Sequence, residues 1–209
     1  MRIINKKFII RSNFYFVGIL ILTIGIALTI VAGLGTSPYD ALLVGLYNSY
    51  GLTIGSWEYI LGFILVIVNA AIQRKRPNLL AMVTAIITGL GIDLWIFFLN
   101  YYWKISMFGC KVVVFLFGTL FIGLGVAMYL QAEFAPSPVD SSMLVIQNVL
   151  GIRLALAKNI LMLIFLSFAF IFDGPINLGT LVMILCIAPL IEMFFPLMEK
   201  LKNKKINIA

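Results

Sequence analysis

A short motif with two polar residues, Ser-Pro-x-Asp, occurs twice in this 209-residue chain, although 63% of its residues are hydrophobic. The segment Ser37-Pro38-Tyr39-Asp40 is answered one hundred residues later by Ser137-Pro138-Val139-Asp140. A carboxylate at membrane depth costs several kcal/mol unless it is paired, protonated or hydrated, so such groups usually bind ions or carry protons. The repeated pattern therefore predicts substrate- or ion-binding residues, namely Ser37, Asp40, Ser137 and Asp140.

The same pattern also has a purely structural interpretation. Serine accepts hydrogen bonds from the free amides at a helix start, and proline suits the first helical position. Aspartate three residues after the cap complements the helix dipole. Both Ser-Pro-x-Asp segments are thus good helix starts, and from the residues alone the capping and binding interpretations are equally favoured.

Three further acids are candidates for proton relay or for tuning the site. Gly91-Ile92-Asp93 is matched at a spacing of 99 by Leu190-Ile191-Glu192, and neither acid has a basic residue near it in sequence. Burial is expected to perturb both carboxyls, which is typical of functional acids. Glu133 precedes the second motif, where it either joins the relay or lies at the membrane interface. Two nearby cations, Arg153 and Lys158, could neutralise Asp140 or Glu133, although cytoplasmic anchoring is the simpler account of both.

Composition places these residues in a membrane protein. Mean hydropathy is +1.12 and apolar runs long enough to span a bilayer recur, while only 11% of residues are charged. The formal charge of +7 lies at the chain ends and between apolar runs, which indicates positive-inside topology and not nucleic-acid binding. With no histidine, no phosphate-binding loop and no serine–histidine–acid set, we expect no metal, no cofactor and no enzyme activity.

The elements that position these acids are all α-helical. We predict six spanning helices and two short, broken or re-entrant helices of about 13 residues, or about 20 Å. The short helices start at the two Ser-Pro-x-Asp motifs and end near Tyr50-Gly51 and Leu150. The predicted spans are Phe14–Ala32, Ser56–Gln73, Leu79–Leu99, Lys111–Gln131, Leu154–Phe172 and Leu178–Met198.

The spacing predicts one membrane domain made of two pseudo-symmetric halves, residues 1–105 and 106–209. If the short helices re-enter, each half has three spans and the halves are inverted. Lys158 occupies the position equivalent to Glu58, and Arg153 the position equivalent to Thr53. Basic residues in the second copy are expected if only that copy faces the cytoplasm. These observations favour inverted repeats in a multi-pass protein whose two termini are cytoplasmic. Inverted repeats with broken helices are a recurring plan of transporters.

The expected function is transport of a small solute by a carrier or channel-like protein, coupled to cations or protons. Its expected partners are membrane lipids and an unknown small solute, with a homodimer as a possible assembly and no nucleic acid. One alternative is a non-catalytic membrane partner that regulates or assembles another system. A lipid-modifying enzyme would need a pair of acids at the interface, and Glu133 with Asp140 is the candidate pair.

The segments from Gly33 to Asp40 and from Gly51 to Gly55, with Gly91-Ile92-Asp93, resemble the YczE/YyaS/YitT group of bacterial integral membrane proteins, best its YczE-like branch. The resemblance spans nearly the whole chain. It implies a multi-pass protein of a bacterial plasma membrane, and some members of the group look linked to the production of lipopeptides. The second copy departs from the motif, since Pro136 replaces Thr36 and Glu133 stands where the first copy has Gly33.

Overall fold

The computed structural model describes residues 2–103, 105–134 and 136–208. These residues form eight α-helices and, within the described ranges, no strand. The helices are α1 (Arg2–Ala32), α2 (Pro38–Tyr50), α3 (Ile54–Gln73), α4 (Leu79–Tyr102), α5 (Phe108–Leu130), α6 (Pro138–Leu150), α7 (Leu154–Ile171) and α8 (Leu178–Ile208). The all-helical prediction is confirmed, including the two short helices.

Five helices are long and apolar enough to cross a membrane: α1, α3, α4, α5 and α8. The sixth predicted span, α7, contains a shorter apolar stretch at Leu156–Ile171. Two predicted boundaries are wrong, because α1 begins at Arg2 instead of Phe14 and α8 continues past Met198 to Ile208. Lysine and arginine are good helix formers, so both helices continue beyond their apolar stretches.

The centre of the bundle is an antiparallel pair, α1 and α5, joined where glycines let the backbones approach. A Cβ atom at Gly25 would collide with the backbone of Ile122, and one at Gly125 would collide with the backbone of Leu22. The contact is therefore reciprocal at an offset of one hundred residues. Antiparallel packing of these two helices is what inverted halves require, although the duplication itself stays a prediction.

The remaining helices pack around this pair in related ways. Helix α4 packs on α1 and α8 packs on α5, while α2 lies against α7 and α6 lies against α3. The arrangement differs in one respect, because α3 packs extensively on α4 whereas α7 and α8 make little contact with each other. The main hydrophobic core surrounds α2, so the first short helix is the more deeply enclosed of the two.

Candidate functional site

Both Ser-Pro-x-Asp motifs start a helix in the predicted way. The Asp40 amide donates to Ser37 Oγ over 3.2 Å, and the Ser37 hydroxyl donates to Asp40 Oδ2 over 2.6 Å. In the second copy the corresponding distances between Asp140 and Ser137 are 3.1 and 2.7 Å. The capping role is confirmed. The binding role stays a prediction that depends on what surrounds the carboxylates.

Asp40 lies in the interior, with only 5% of its surface exposed. Its carboxylate also interacts with the hydroxyl of Thr36, a fully buried residue. Thr36 in turn shares a 3.0 Å hydrogen bond with the hydroxyl of Thr29 on α1. A short chain of hydroxyls thus connects the first motif to the central helix pair.

Asp140 is half-buried and has a different neighbour. The hydroxyl of Tyr129, near the end of α5, donates directly to Asp140 Oδ2. Tyr129 stands one hundred residues after Thr29, and Pro136 stands where the first copy has Thr36. Proline has no hydroxyl to offer, so the longer tyrosine side chain takes over the contact.

Glu58 of α3 lies between these two motifs. It is 5% exposed and interacts electrostatically with both Asp40 and Asp140. No ion pair neutralises it within the described residues. A glutamate in this environment must be protonated, hydrated or occupied by a cation.

Beside Glu58 is the buried side chain of Tyr39, which is 7% exposed. Its hydroxyl interacts with the Glu58 carboxyl and with Asp40, although the geometry falls short of a well-formed hydrogen bond. Buried hydroxyls almost always have a hydrogen-bond partner. Glu58 is the acceptor nearest to hand for Tyr39, so the two side chains form one polar pair in the interior.

Lys158 of α7 supplies a positive charge near these acids. It is half-buried and interacts electrostatically with Asp140 and with Glu192. Glu58 is buried and Lys158 is half-buried, so neither is a fully solvated charge, and the membrane sidedness inferred from them stays a prediction. Of the two accounts of Lys158, the structure favours partial neutralisation of Asp140.

The two motifs line different cavities. Ser37 and Lys158 line a cavity of about 90 Å³ between α2, α7 and α8. Pro136 and Ser141, on either side of the second motif, line another cavity of about 330 Å³. The two helix starts thus border separate cavities, and Glu58 is the residue that interacts with both aspartates.

Asp93 of α4 lies beside the start of α3 and caps that helix together with Thr53. Its Oδ1 accepts a 2.8 Å bond from the Gly55 amide and its Oδ2 a 2.6 Å bond from the Thr53 hydroxyl. Gly55 is required here because a Cβ would collide with the backbone of Gly89 on α4. Asp93 thus fastens α3 to α4. Its counterpart Glu192 is exposed on α8 and reaches the site only through Lys158.

Glu133 lies apart from the central acids, in the loop between α5 and α6. Its carboxylate pairs with Lys202 of α8 at 2.9 Å and with Arg11 of α1 at 3.4 Å. The bond from Lys202 and the charge of Arg11 lower the pKa of Glu133 below its ordinary value. The Lys202 ammonium also donates to the carbonyl of Gln131 over 3.0 Å. This ionic cluster joins three parts of the chain, and the structure does not bring Glu133 to the site as a relay.

Sequence reasoning missed three residues of this site, Tyr39, Glu58 and Tyr129, and named Lys158 only as one of two cations that could neutralise Asp140 or Glu133. One signal was available, because Glu58 and Lys158 lie one hundred residues apart within apolar helices and carry opposite charges. No sequence signal could identify the two tyrosines, since their roles depend on how α2 and α5 pack. The described residues bring no three histidine, cysteine or acidic side chains together in a group that could hold a metal ion.

Comparison with known proteins gives a consistent family. Residues 9–196 match a family of unknown function, DUF6198. The uncharacterized protein YyaS of Bacillus subtilis is 45% identical over 190 residues, which cover 91% of this chain and 94% of that protein. The uncharacterized membrane protein YczE of the same organism is 31% identical over 200 residues, covering 95% and 92%. No solved structure matches.

Proposed function

The chain belongs to the DUF6198 family of multi-pass membrane proteins of the YczE and YyaS type, and we propose that it is a small carrier that moves a solute with a cation or a proton. The coupling proton or ion binds at Glu58 together with one of the two aspartates, Asp40 or Asp140, and the solute binds beside them, with Ser37 and Ser137 positioning the aspartates. Lys158 and Tyr39 complete the polar environment. We propose no enzymatic role and no resident cofactor.

The observation that carries this proposal is Glu58, a buried acid in electrostatic contact with two others. Glu58 interacts with both Asp40 and Asp140, whereas the ammonium group of Lys158 interacts with Asp140 and is shared with Glu192. An excess of buried negative charge is unfavourable in hydrocarbon, and a proton or cation removes the excess. Binding and release of that charge is the coupling step that a secondary carrier needs.

The helix arrangement supports a carrier more than a static scaffold. Broken helices whose starts lie within the membrane are typical of transporters built from inverted repeats. The antiparallel α1–α5 pair has the orientation that such repeats require. We place the protein in the bacterial plasma membrane with both basic termini in the cytoplasm, following the distribution of lysine and arginine.

The test is uptake by proteoliposomes that contain the purified protein, driven by a pH gradient and screened over mixtures of small metabolites and cations. The proposal predicts a flux that Glu58→Gln and Asp140→Asn abolish. Glu133→Gln is the matched control, because it removes a carboxylate outside the site. Uptake that is identical in the wild type and in Glu58→Gln would contradict the proposal.

A second candidate function is that of a membrane partner, and the outer face of α8 favours it. Helix α8 is the least enclosed of the long apolar helices, and Glu192 lies exposed on that face. A second copy of the chain or another membrane protein would cover that carboxylate. Stoichiometric co-purification that is lost in Glu192→Leu would favour this role. Removal of residues 203–209 tests the basic tail while keeping Lys202, which the ionic cluster needs.

A further inference from the structure

The cavity beside the second Ser-Pro-x-Asp motif lies between α3, α4 and α6, and the charged side chains that line it are basic. Its volume is about 330 Å³, within the range of about 300–1,000 Å³ that is common for ligand sites. Lys75 and Arg76 of the α3–α4 loop line it together with four amide side chains, Asn69, Gln73, Asn78 and Asn148. No acidic residue is among the residues that line it.

The two cations are available to a ligand. Within the described chain neither Lys75 nor Arg76 forms an ion pair, and both are exposed. The uncharged NH2 groups of asparagine and glutamine add hydrogen-bond donors for a ligand and do not neutralise the two cations. A group with several acceptor oxygens and negative charge is the chemistry that matches this set, and arginine binds phosphate in a bidentate manner.

The position of the cavity suits a ligand at the membrane surface. The hydroxyls of Tyr15 on α1 and Thr84 on α4 share a 2.7 Å hydrogen bond, so α4 starts at the same end of the bundle as the basic N-terminal segment. Basic pockets between spanning helices on the cytoplasmic side bind lipid headgroups.

We propose that this cavity binds a phosphate group, supplied by the headgroup of an anionic phospholipid or by a soluble phosphate ester. Lys75 and Arg76 hold the phosphate, while Asn148 contacts it from α6. The wall of the cavity contains Asn69, whose amide donates to Ser142 Oγ over 2.9 Å and to the Pro138 carbonyl over 3.3 Å. A bound phosphate therefore braces the α3–α4 loop against the helix that carries Asp140. This inference does not depend on the transport proposal.

The experiment measures thermal unfolding of the detergent-purified protein during titration with dioleoyl phosphatidylglycerol, dioleoyl phosphatidylcholine or inorganic phosphate. Phosphatidylglycerol is expected to raise the unfolding temperature where phosphatidylcholine does not. Lys75→Gln with Arg76→Gln should weaken the apparent affinity about tenfold for each charged contact removed. Arg74→Gln is the matched control, since Arg74 is in the same loop but does not line the cavity.

The outcomes separate the source of the phosphate from the existence of the site. Protection by phosphatidylglycerol alone identifies the lipid headgroup, and protection by inorganic phosphate as well identifies a soluble phosphate. Equal weakening in Arg74→Gln and in the double variant would reduce the effect to general surface charge and overturn the proposal. So would equal protection by phosphatidylcholine, or none from any of the three ligands.

Discussion

Asp40 and Asp140 occupy the same position in two 13-residue helices, but their carboxylates meet different neighbours. Asp40 is buried and connects to α1 through two threonines. Asp140 is half-buried and is held by Tyr129 and approached by Lys158. The duplicated sequence thus specifies the helix start in both copies, whereas the packing of the other helices decides what each carboxylate can bind.

The helices that cover the two motifs differ as well. At the second motif, Gly62 of α3 packs directly against Pro138 and Ala85, and this close packing leaves no room for a larger side chain. At the first motif, the residue equivalent to Gly62 is Met162, one hundred positions later. Met162 lines the small cavity beside Ser37. The first half is fastened by Asp93, while α7 and α8 stay apart. The difference shows that the second half is the looser part of the bundle.

The largest expected effect comes from the acid that fastens the first half. Asp93→Asn removes the charge from two hydrogen bonds at the start of α3, and we expect a loss of about 1.5–3 kcal/mol in unfolding free energy. Glu192→Gln makes the same kind of change on the exposed face of α8 and should alter stability by no more than about 0.5 kcal/mol. Thermal unfolding in detergent compares the two variants. Equal losses would remove the distinction between a fastened and a loose half.

A smaller effect is expected where hydroxyls contact the motif carboxylates. Tyr129→Phe removes a donor that bonds directly to a half-buried carboxylate, with an expected cost of about 1–3 kcal/mol. Thr29→Val removes a hydroxyl that reaches Asp40 only through Thr36, and about 0.5–1.5 kcal/mol should be lost. The same unfolding measurement ranks them. A larger loss in Thr29→Val than in Tyr129→Phe would contradict the expectation that a direct contact with a motif carboxylate matters more than an indirect one.

The smallest effect concerns the ionic cluster of Glu133 with Lys202 and Arg11. The pKa of Glu133 is lower in the folded protein than its ordinary value, so the ionised carboxylate stabilises the fold at any pH above that ordinary value. That contribution disappears as the pH falls through the lower, folded-state value. Glu133→Gln should therefore be less stable than the wild type at neutral pH, and the difference should vanish in acid. Unfolding temperatures measured across the acid range check this, and a difference that persists in acid would contradict the assigned ion pairs.

The sequence predicted the helices well because their signals are local. Apolar runs, proline and the two serine caps define α2 and α6 with almost the bounds that the structure has. The outer limits of α1 and α8 were less predictable, since Lys202 is held by groups about 70 residues away in sequence.

Asp93 was predicted to be a relay acid and Glu58 to be a charge at the membrane boundary, but in the structure Asp93 caps a helix and Glu58 is buried. The reason is geometric. Glu58 follows the Thr53 cap closely and would lie near the membrane surface if α3 began there. Instead, the start of α3 is held by Asp93, nine residues before α4 ends at Tyr102. That distance is about 14 Å along a helix, so α3 begins inside the bundle and carries Glu58 into the interior. Only the packing of α3 on α4 determines this depth.

The most direct test of the central claim is the displacement of charge when proteoliposomes on a solid-supported membrane are exposed to a jump in pH or in cation concentration. If Glu58 lies at the centre of an ion-binding site, the wild type and Glu133→Gln will give a transient charge movement that saturates with concentration, and Glu58→Gln will give none. An unchanged transient in Glu58→Gln, or no transient in the wild type under any cation or pH jump, would contradict the account.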